Sequence, residues 1–131
     1  MEFFDFKIHG DSRGQLVAIE QLRDVPFEIK RVYYMYDTTQ GVRRGFHAHK
    51  SLQQVLICVN GQCTILLDDG NKKSLVTLNN STQGLFVDKL IWHEMYDFSD
   101  GAILMSLASD YDDESDYIRD YNEFLAYMKE R

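Results

Sequence analysis

The residues best suited to chemistry lie in one heptapeptide, Arg44-Gly45-Phe46-His47-Ala48-His49-Lys50. His47 and His49 are spaced i, i+2, which on a β-strand places both imidazoles on one face. The chain has only two further histidines, His9 and His93. A neutral imidazole titrates at about pH 6.5, so it can take up and return a proton at neutral pH. Paired imidazoles can also hold a divalent metal. The residue types alone therefore allow an acid–base pair, a metal site or a hydrogen-bonded structural pair. Arg44 and Lys50 add positive charge beside the histidines, which disfavours a cation and suits phosphate.

The rest of the chain sharpens that charge argument. The formal net charge is −7, so nucleic acid and anionic membrane surfaces are poor partners. The charge is uneven: Lys30, Arg31, Arg43, Arg44 and Lys50 face a single acid, Asp37, in their stretch, while acids dominate from Asp97 onward. A local basic zone on an acidic protein suits a small anionic ligand rather than a polyanion. The two cysteines, Cys58 and Cys63, sit in apolar context on either side of Asn60-Gly61 and read as buried thiols in a reducing compartment. The start, Met1-Glu2-Phe3-Phe4-Asp5, lacks a basic region and a long apolar run, and no window has the roughly 18 apolar residues of a membrane span. A cytoplasmic protein is expected.

The elements that must position the histidines are strands. Hydrophobic residues make up 44% of 131 residues, enough for one domain with its own core. Strands are predicted over residues 3–9 and 15–20 (a hairpin across Asp11-Ser12-Arg13-Gly14), then over 30–36, 44–50 and 53–59. Asn60-Gly61 is the strongest hairpin signal, because both residues tolerate the positive φ of a type I′ turn. Return strands follow over 62–67, 73–78, 84–87, 91–96 and 102–108. Ten short strands at this spacing, with no helix between them, predict an all-β sandwich or barrel over about 3–109. The tail differs. Tyr117, Ile118, Tyr121, Phe124, Leu125 and Met128 recur at three- and four-residue steps, which predicts one amphipathic packing helix over about 114–129. Asp112, Asp113, Glu114 and Asp116 read as its acidic N-terminal approach.

Spacings around the histidine pair carry a resemblance. Gly41, His47, His49, Gln54 and Gly61 follow the cupin signature Gly-x5-His-x-His-x4-Glu-x6-Gly, with Gln54 in the place of the Glu. Gly84 through His93 resembles the second signature in part, with Asp88-Lys89-Leu90 where its turn would be. The resemblance implies a double-stranded β-helix, or jelly roll, in agreement with the strand count. It also implies a metal alternative, with His47, His49, Gln54 and His93 as donors, weakened by the missing carboxylate.

Longer stretches are more specific. Arg-Gly-Phe-His-Ala-His-Lys, Gln-Val-Leu-Ile-Cys-Val-Asn-Gly, Leu-Asp-Asp-Gly-Asn, Trp-His-Glu-Met and the tail through Tyr-Ile-Arg-Asp-Tyr together resemble the dTDP-4-keto-6-deoxyglucose 3,4-ketoisomerases, from Phe4 to Phe124. This resemblance implies a dTDP-sugar substrate and a carbonyl moved from C4 to C3 through an enediolate, with neither metal nor nicotinamide. It implies His47 as main base and His49 as its proton-shuttling partner, in an order that the sequence leaves open. Arg44 and Lys50 would bind the diphosphate, Arg31 and Tyr33 would line the same mouth, and Gln54 would hydrogen-bond the sugar. Arg13 and His93 stand where the galacto-product branch carries Arg and His. The family resemblance further implies a homodimer with exchanged N-terminal strands. A His–His pair rather than the His–Asp dyad of related 3,5-epimerases disfavours epimerisation. A metal-dependent cupin enzyme, a gluco-product isomerase and a non-catalytic sugar-nucleotide binding module are the competing expectations.

Overall fold

The computed structural model describes all residues, 1–131. Twelve strands precede or flank one helix: β1 (Glu2–Asp5), β2 (Ile8–Asp11), β3 (Gly14–Val17), β4 (Arg31–Met35), β5 (Arg44–His49), β6 (Gln54–Asn60), β7 (Cys63–Asp68), β8 (Lys73–Leu78), β9 (Gln83–Val87), β10 (Trp92–Tyr96), β11 (Ile103–Ala108), β12 (Tyr117–Ile118) and α1 (Tyr121–Lys129). Two five-stranded sheets, ordered β1-β9-β6-β11-β4 and β12-β5-β10-β7-β8, pack face to face as a jelly roll. Every strand pairing is antiparallel. The chain turns at Asn60-Gly61, where Gly61 has φ 71°, but the expected type I′ hairpin does not form, and Asn60 is not at positive φ. Instead β6 pairs with β9 and β11, and β7 with β8 and β10. The turn carries the chain from one sheet to the other, and both strands put apolar side chains into the core between the sheets.

The core lies between the sheets. Leu56, Cys58, Ile65, Leu85, Met95 and Leu104 form its centre. The opposite face of β6 is also covered: Val55 and Ile57 pack with Phe6, Val25 and Phe27 from the N-terminal segment and the loop before β4. Burial on both faces explains why β6 reads as a continuous apolar run rather than an alternating one. A third cluster joins Ala48, Trp92 and Ile118 to Phe124 of α1, whose ring is fully buried. Truncating such a ring to alanine costs about 3–5 kcal/mol. Helix α1 is therefore a buttress behind β5 and β10, the strands that carry the histidines.

Two predicted elements take a different form. The first predicted strand splits at Phe6, whose N–H bonds Thr82 O at 2.9 Å. Its first part, β1, joins β9, while β2 and β3 form a separate two-stranded hairpin that ends at Val17 rather than Glu20. The tail helix begins at Tyr121, not near residue 114. Asp113 caps only one 3₁₀ turn, Glu114–Asp116, and the chain then extends as β12 against β5, pairing Tyr117 with His49. Asp120 is the cap of α1, its side chain accepting from Glu123 N at 3.0 Å. The apolar spacing of Tyr117 and Ile118 mimics a helix, but sheet pairing prevails because β5 offers a free edge.

Candidate active site

The histidine pair sits on β5 as its spacing predicts. The ring centroids of His47 and His49 are 5.1 Å apart. His93 joins them from β10, 4.5 Å from His47 and 6.2 Å from His49. The two strands pair His93 with His47, and their register then slips between His93 and Glu94. Gly45 makes that slip possible: it has φ 94°, and a Cβ there would lie 2.8 Å from His93 O. One nitrogen from each imidazole falls within a 4.8 Å cluster.

Hydrogen bonds fix the state of each ring. His93 Nδ1 lies 3.1 Å from Ile91 O, and a carbonyl only accepts, so Nδ1 carries the proton and Nε2 the lone pair. That lone pair is 3.1 Å from Gln54 Nε2, which must donate to it. The amide oxygen of Gln54 then faces two hydroxyl donors, Tyr33 Oη at 2.9 Å and Ser106 Oγ at 2.8 Å. Every polar atom of this buried network is used. Burial, then the nearby charge of His47, lowers the His93 pKa to about 3. His47 Nδ1 donates to Gly45 O at 3.1 Å, which leaves its Nε2 free. Burial, then the charge of His49, lowers its pKa to about 4. His49 Nδ1 lies 3.2 Å from Asp116 Oδ2, so its Nε2 is also free. Burial lowers the His49 pKa, and the Asp116 charge works against that shift.

The donor set does not fit the metal that the cupin fold suggests. His93 has no lone pair to spare, and the Gln54 oxygen is held by two hydroxyls. Two imidazole nitrogens remain, without a carboxylate among the cupin positions.

Several predicted residues take other places. Gln54 is 1% exposed and His93 is fully buried, and each uses a side-chain nitrogen on the other, so both belong to the wall behind the site. Tyr33 supports that wall through its hydroxyl, and Arg31 stacks over its ring at 4.4 Å, paired with Asp112 at 3.4 Å. Arg44 is exposed at the start of β5. Lys50 is exposed just past the end of β5. Arg13 is exposed at the tip of the β2–β3 hairpin, paired with Asp11 at 2.6 Å. The single chain thus does not bring Arg13, Arg44 or Lys50 into contact with the imidazoles.

Other residues fill the site instead. Tyr117 packs its ring 5.0 Å from His47 and 4.4 Å from His49. Arg119 lies over Tyr117 at 4.1 Å, and its charge acts on His47. Asp116 backs His49, so a His–carboxylate pair is present, and the expectation of a bare His–His pair is corrected. The signal was the Tyr-Ile-Arg-Asp-Tyr stretch, whose helical spacing concealed its role as a strand against β5. Arg31 and Arg119, each held by one exposed carboxylate, are the cations whose charge acts on His49 and His47.

Comparison with known proteins agrees with this arrangement. The family model described as FdtA, WxcM-like, C-terminal matches residues 1–129. The chain is 55% identical over 124 residues to a TDP-4-oxo-6-deoxy-alpha-D-glucose-3,4-oxoisomerase of Aneurinibacillus thermoaerophilus, covering 95% of this chain and 89% of the relative. A 3,4-ketoisomerase from Helicobacter canadensis superposes with TM-score 0.95 at 49% identity, covering 98% of this chain and 96% of that one. The QdtA 3,4-ketoisomerase from Thermoanaerobacterium thermosaccharolyticum superposes with TM-score 0.96 at 45% identity, covering 99% and 94%. That structure is a TDP complex of a double variant in which a tyrosine became arginine and an arginine became histidine. The chain belongs to the FdtA family, that of the sugar-nucleotide 3,4-ketoisomerases.

Proposed function

We propose that this protein converts dTDP-4-keto-6-deoxy-D-glucose to dTDP-3-keto-6-deoxy-D-galactose. The observation that carries this reading is a pair of neutral imidazoles, His47 and His49, each with a free Nε2, within reach of the charges of Arg31 and Arg119. The C4 carbonyl acidifies the C3–H bond. His47 takes that proton, and the electron pair forms the C3=C4 bond of an enediolate. The proton returns to C4, while His49 moves the O3 proton to O4; atoms and electrons balance without a cofactor. The substrate's C3–H and the galacto product's C4–H lie on one face of the ring, so a single imidazole can make both transfers. The diphosphate lies against Arg31 and Arg119 in this reading.

Arg13 and His93 support the galacto branch, since this chain carries the two residue types that the QdtA double variant introduced. The 3-keto product suits transamination towards 3-amino-3,6-dideoxyhexoses of surface polysaccharides. A homodimer is supported by the β2–β3 hairpin, which stands apart from both sheets with Ile8 and Leu16 exposed, and by Val32 and Tyr34 exposed on edge strand β4. Exchange of that hairpin would carry Arg13 towards the partner's cleft. Cys58 and Cys63 are both free and buried, which suits a reducing cytoplasm.

Incubation with dTDP-4-keto-6-deoxyglucose and excess chelator, followed by NMR, tests the reading. The 3-keto galacto product is expected. No turnover by folded protein sinks the proposal, chelator-sensitive turnover sinks its metal-free chemistry, and a gluco product sinks the stereochemical part.

A further inference from the structure

Behind the histidine pair lies a carboxylate that no sugar contact requires. Asp116 ends the 3₁₀ turn, and its carboxylate collects four donors. Oδ2 accepts from His49 Nδ1 at 3.2 Å and from Leu52 N at 3.2 Å. Oδ1 accepts from Ser51 N at 2.9 Å and from Ser51 Oγ at 2.7 Å. Its backbone oxygen accepts from Lys50 N at 2.9 Å. Residues 50–52 continue directly from His49, so the carboxylate is anchored to the segment that bears the imidazole. The pairing of Tyr117 with His49 clamps it from the other side. Burial works to raise the Asp116 pKa, but the Ser51 and Leu52 hydrogen bonds and the His49 charge outweigh this and hold it below the usual carboxylate range. An ionised carboxylate can only accept, so it holds the His49 proton on Nδ1 and leaves the lone pair on Nε2 free. His47 has no such partner: its Nδ1 meets the neutral carbonyl of Gly45.

We propose that Asp116 is a positioning residue for the isomerisation: it locks His49 in the Nδ1–H tautomer and stabilises the imidazolium formed when His49 Nε2 accepts the O3 proton. The proposal rests on the reading of His49 as a proton-transfer group. In the step itself the O3–H bond breaks, an Nε2–H bond forms, and the same proton then passes to O4. Asp116 gains no proton; its charge offsets the one on His49. This gives the two imidazoles different duties. The one backed by a carboxylate can hold a proton between two oxygens, whereas the one backed by a carbonyl returns its proton at once to carbon.

The test uses Asp116→Asn and the unmodified protein. Asn can still accept from Ser51, but an amide nitrogen facing His49 donates, which moves the imidazole proton to Nε2 and removes the lone pair from the cleft. Turnover is expected to fall about 10²–10⁴-fold, with dTDP affinity changed less than threefold. Nitrogen-15 shifts of His49 should show the Nδ1–H tautomer in the unmodified protein and lose it in the variant. An Nε2–H tautomer in the unmodified protein overturns the proposal even if the variant fails to fold. Wild-type turnover by Asp116→Asn also overturns it, as does a loss of dTDP binding equal to the loss of turnover. A His49→Asn control separates the two levels. Undiminished turnover there defeats the reading of His49 itself, whereas an inactive His49→Asn beside a fully active Asp116→Asn defeats only the role of Asp116.

Discussion

His93 on β10 and His49 on β5 lie side by side on paired strands of one sheet with ring centroids 6.2 Å apart, and each donates its Nδ1–H to an oxygen. They differ at the other nitrogen and in what stands behind. His93 Nε2 is taken by Gln54, and the carbonyl of Ile91 behind it is neutral. His49 Nε2 is free, and Asp116 behind it is charged. Both imidazoles are buried, so burial alone does not separate a reactive histidine from an inert one. The hydrogen-bond partner of each nitrogen does. The wall formed by β6, β10 and β11 is a closed network with no unmatched donor or acceptor, whereas the wall formed by β5 and β12 leaves two lone pairs open to a substrate.

The largest test of this contrast removes a base on the open wall. His47→Asn should lower turnover by at least about 10³-fold, the upper part of what one acid–base group contributes, while dTDP binding measured by calorimetry is kept. It should also abolish exchange of the C3 proton with solvent. Exchange that survives in His47→Asn but disappears in His49→Asn would reverse the assignment of the two histidines. Loss of dTDP binding would turn His47 into a binding residue and break the contrast on its open side.

The closed wall is tested through Gln54. Gln54→Leu leaves the Tyr33 and Ser106 hydroxyls without their acceptor and His93 Nε2 without its donor. The expected loss is about 2–4 kcal/mol, since each buried group left unpaired costs about 1–3 kcal/mol and some relax or find water. Denaturant unfolding measures it. A loss below about 0.5 kcal/mol would mean that the network is not closed.

Acidification weakens both walls. The pKa of His47 is lowered to about 4 and that of His93 to about 3, so each is neutral in the folded protein and charges on unfolding at mildly acidic pH. The unfolded chain then binds more protons than the folded one, and stability falls as pH drops below about 6.5 towards 4. Above about pH 7 these two groups contribute no slope. Thermal midpoints between pH 4 and 8 check this, and a His47→Asn variant should show a shallower acid limb. A flat profile below pH 6.5 would show that the imidazoles are already solvated.

How much of this was legible in the sequence depended on whether a local period carries the information. Strand alternation places His47 and His49 together, and Asn60-Gly61 marks a turn, because both effects act over two residues. That this turn crosses between the sheets instead of closing a hairpin is set by the distant partners β9, β11, β8 and β10. The jelly roll follows from the repeated short strands. The role of Asp116 was hidden, since a carboxylate 67 residues from His49 meets it only through the sheet pairing of Tyr117. The apolar steps at Tyr117, Ile118 and Tyr121 suit a helix as well as they suit a two-residue strand followed by a helix. Gln54 could be read as a missing metal ligand, but not as the clamp on His93: that required Ser106 from β11 and Tyr33 from β4 to meet it. Proximity in sequence draws Lys50 and Arg44 to the site, yet Lys50 lies just past the end of β5 and Arg44 is exposed at its start, beyond the irregularity at Gly45 and Phe46.

The smallest expected effect comes from the closed wall. Ser106→Ala removes one of the two donors to the Gln54 oxygen and leaves Tyr33 in place. No donor is orphaned, because the hydroxyl itself is gone, and a carbonyl oxygen with one remaining bond is adequately satisfied. The cost should therefore be about 1 kcal/mol, the worth of one net hydrogen bond. Turnover should stay within about twofold, because Gln54 Nε2 still donates to His93 and the open wall is untouched. A tenfold fall in turnover without a matching fall in stability would show that the closed wall takes part in the chemistry after all. In that case His93 would have to be counted with His47 and His49, and the position of the Gln54 amide, set by two hydroxyls rather than one, would be what tunes it.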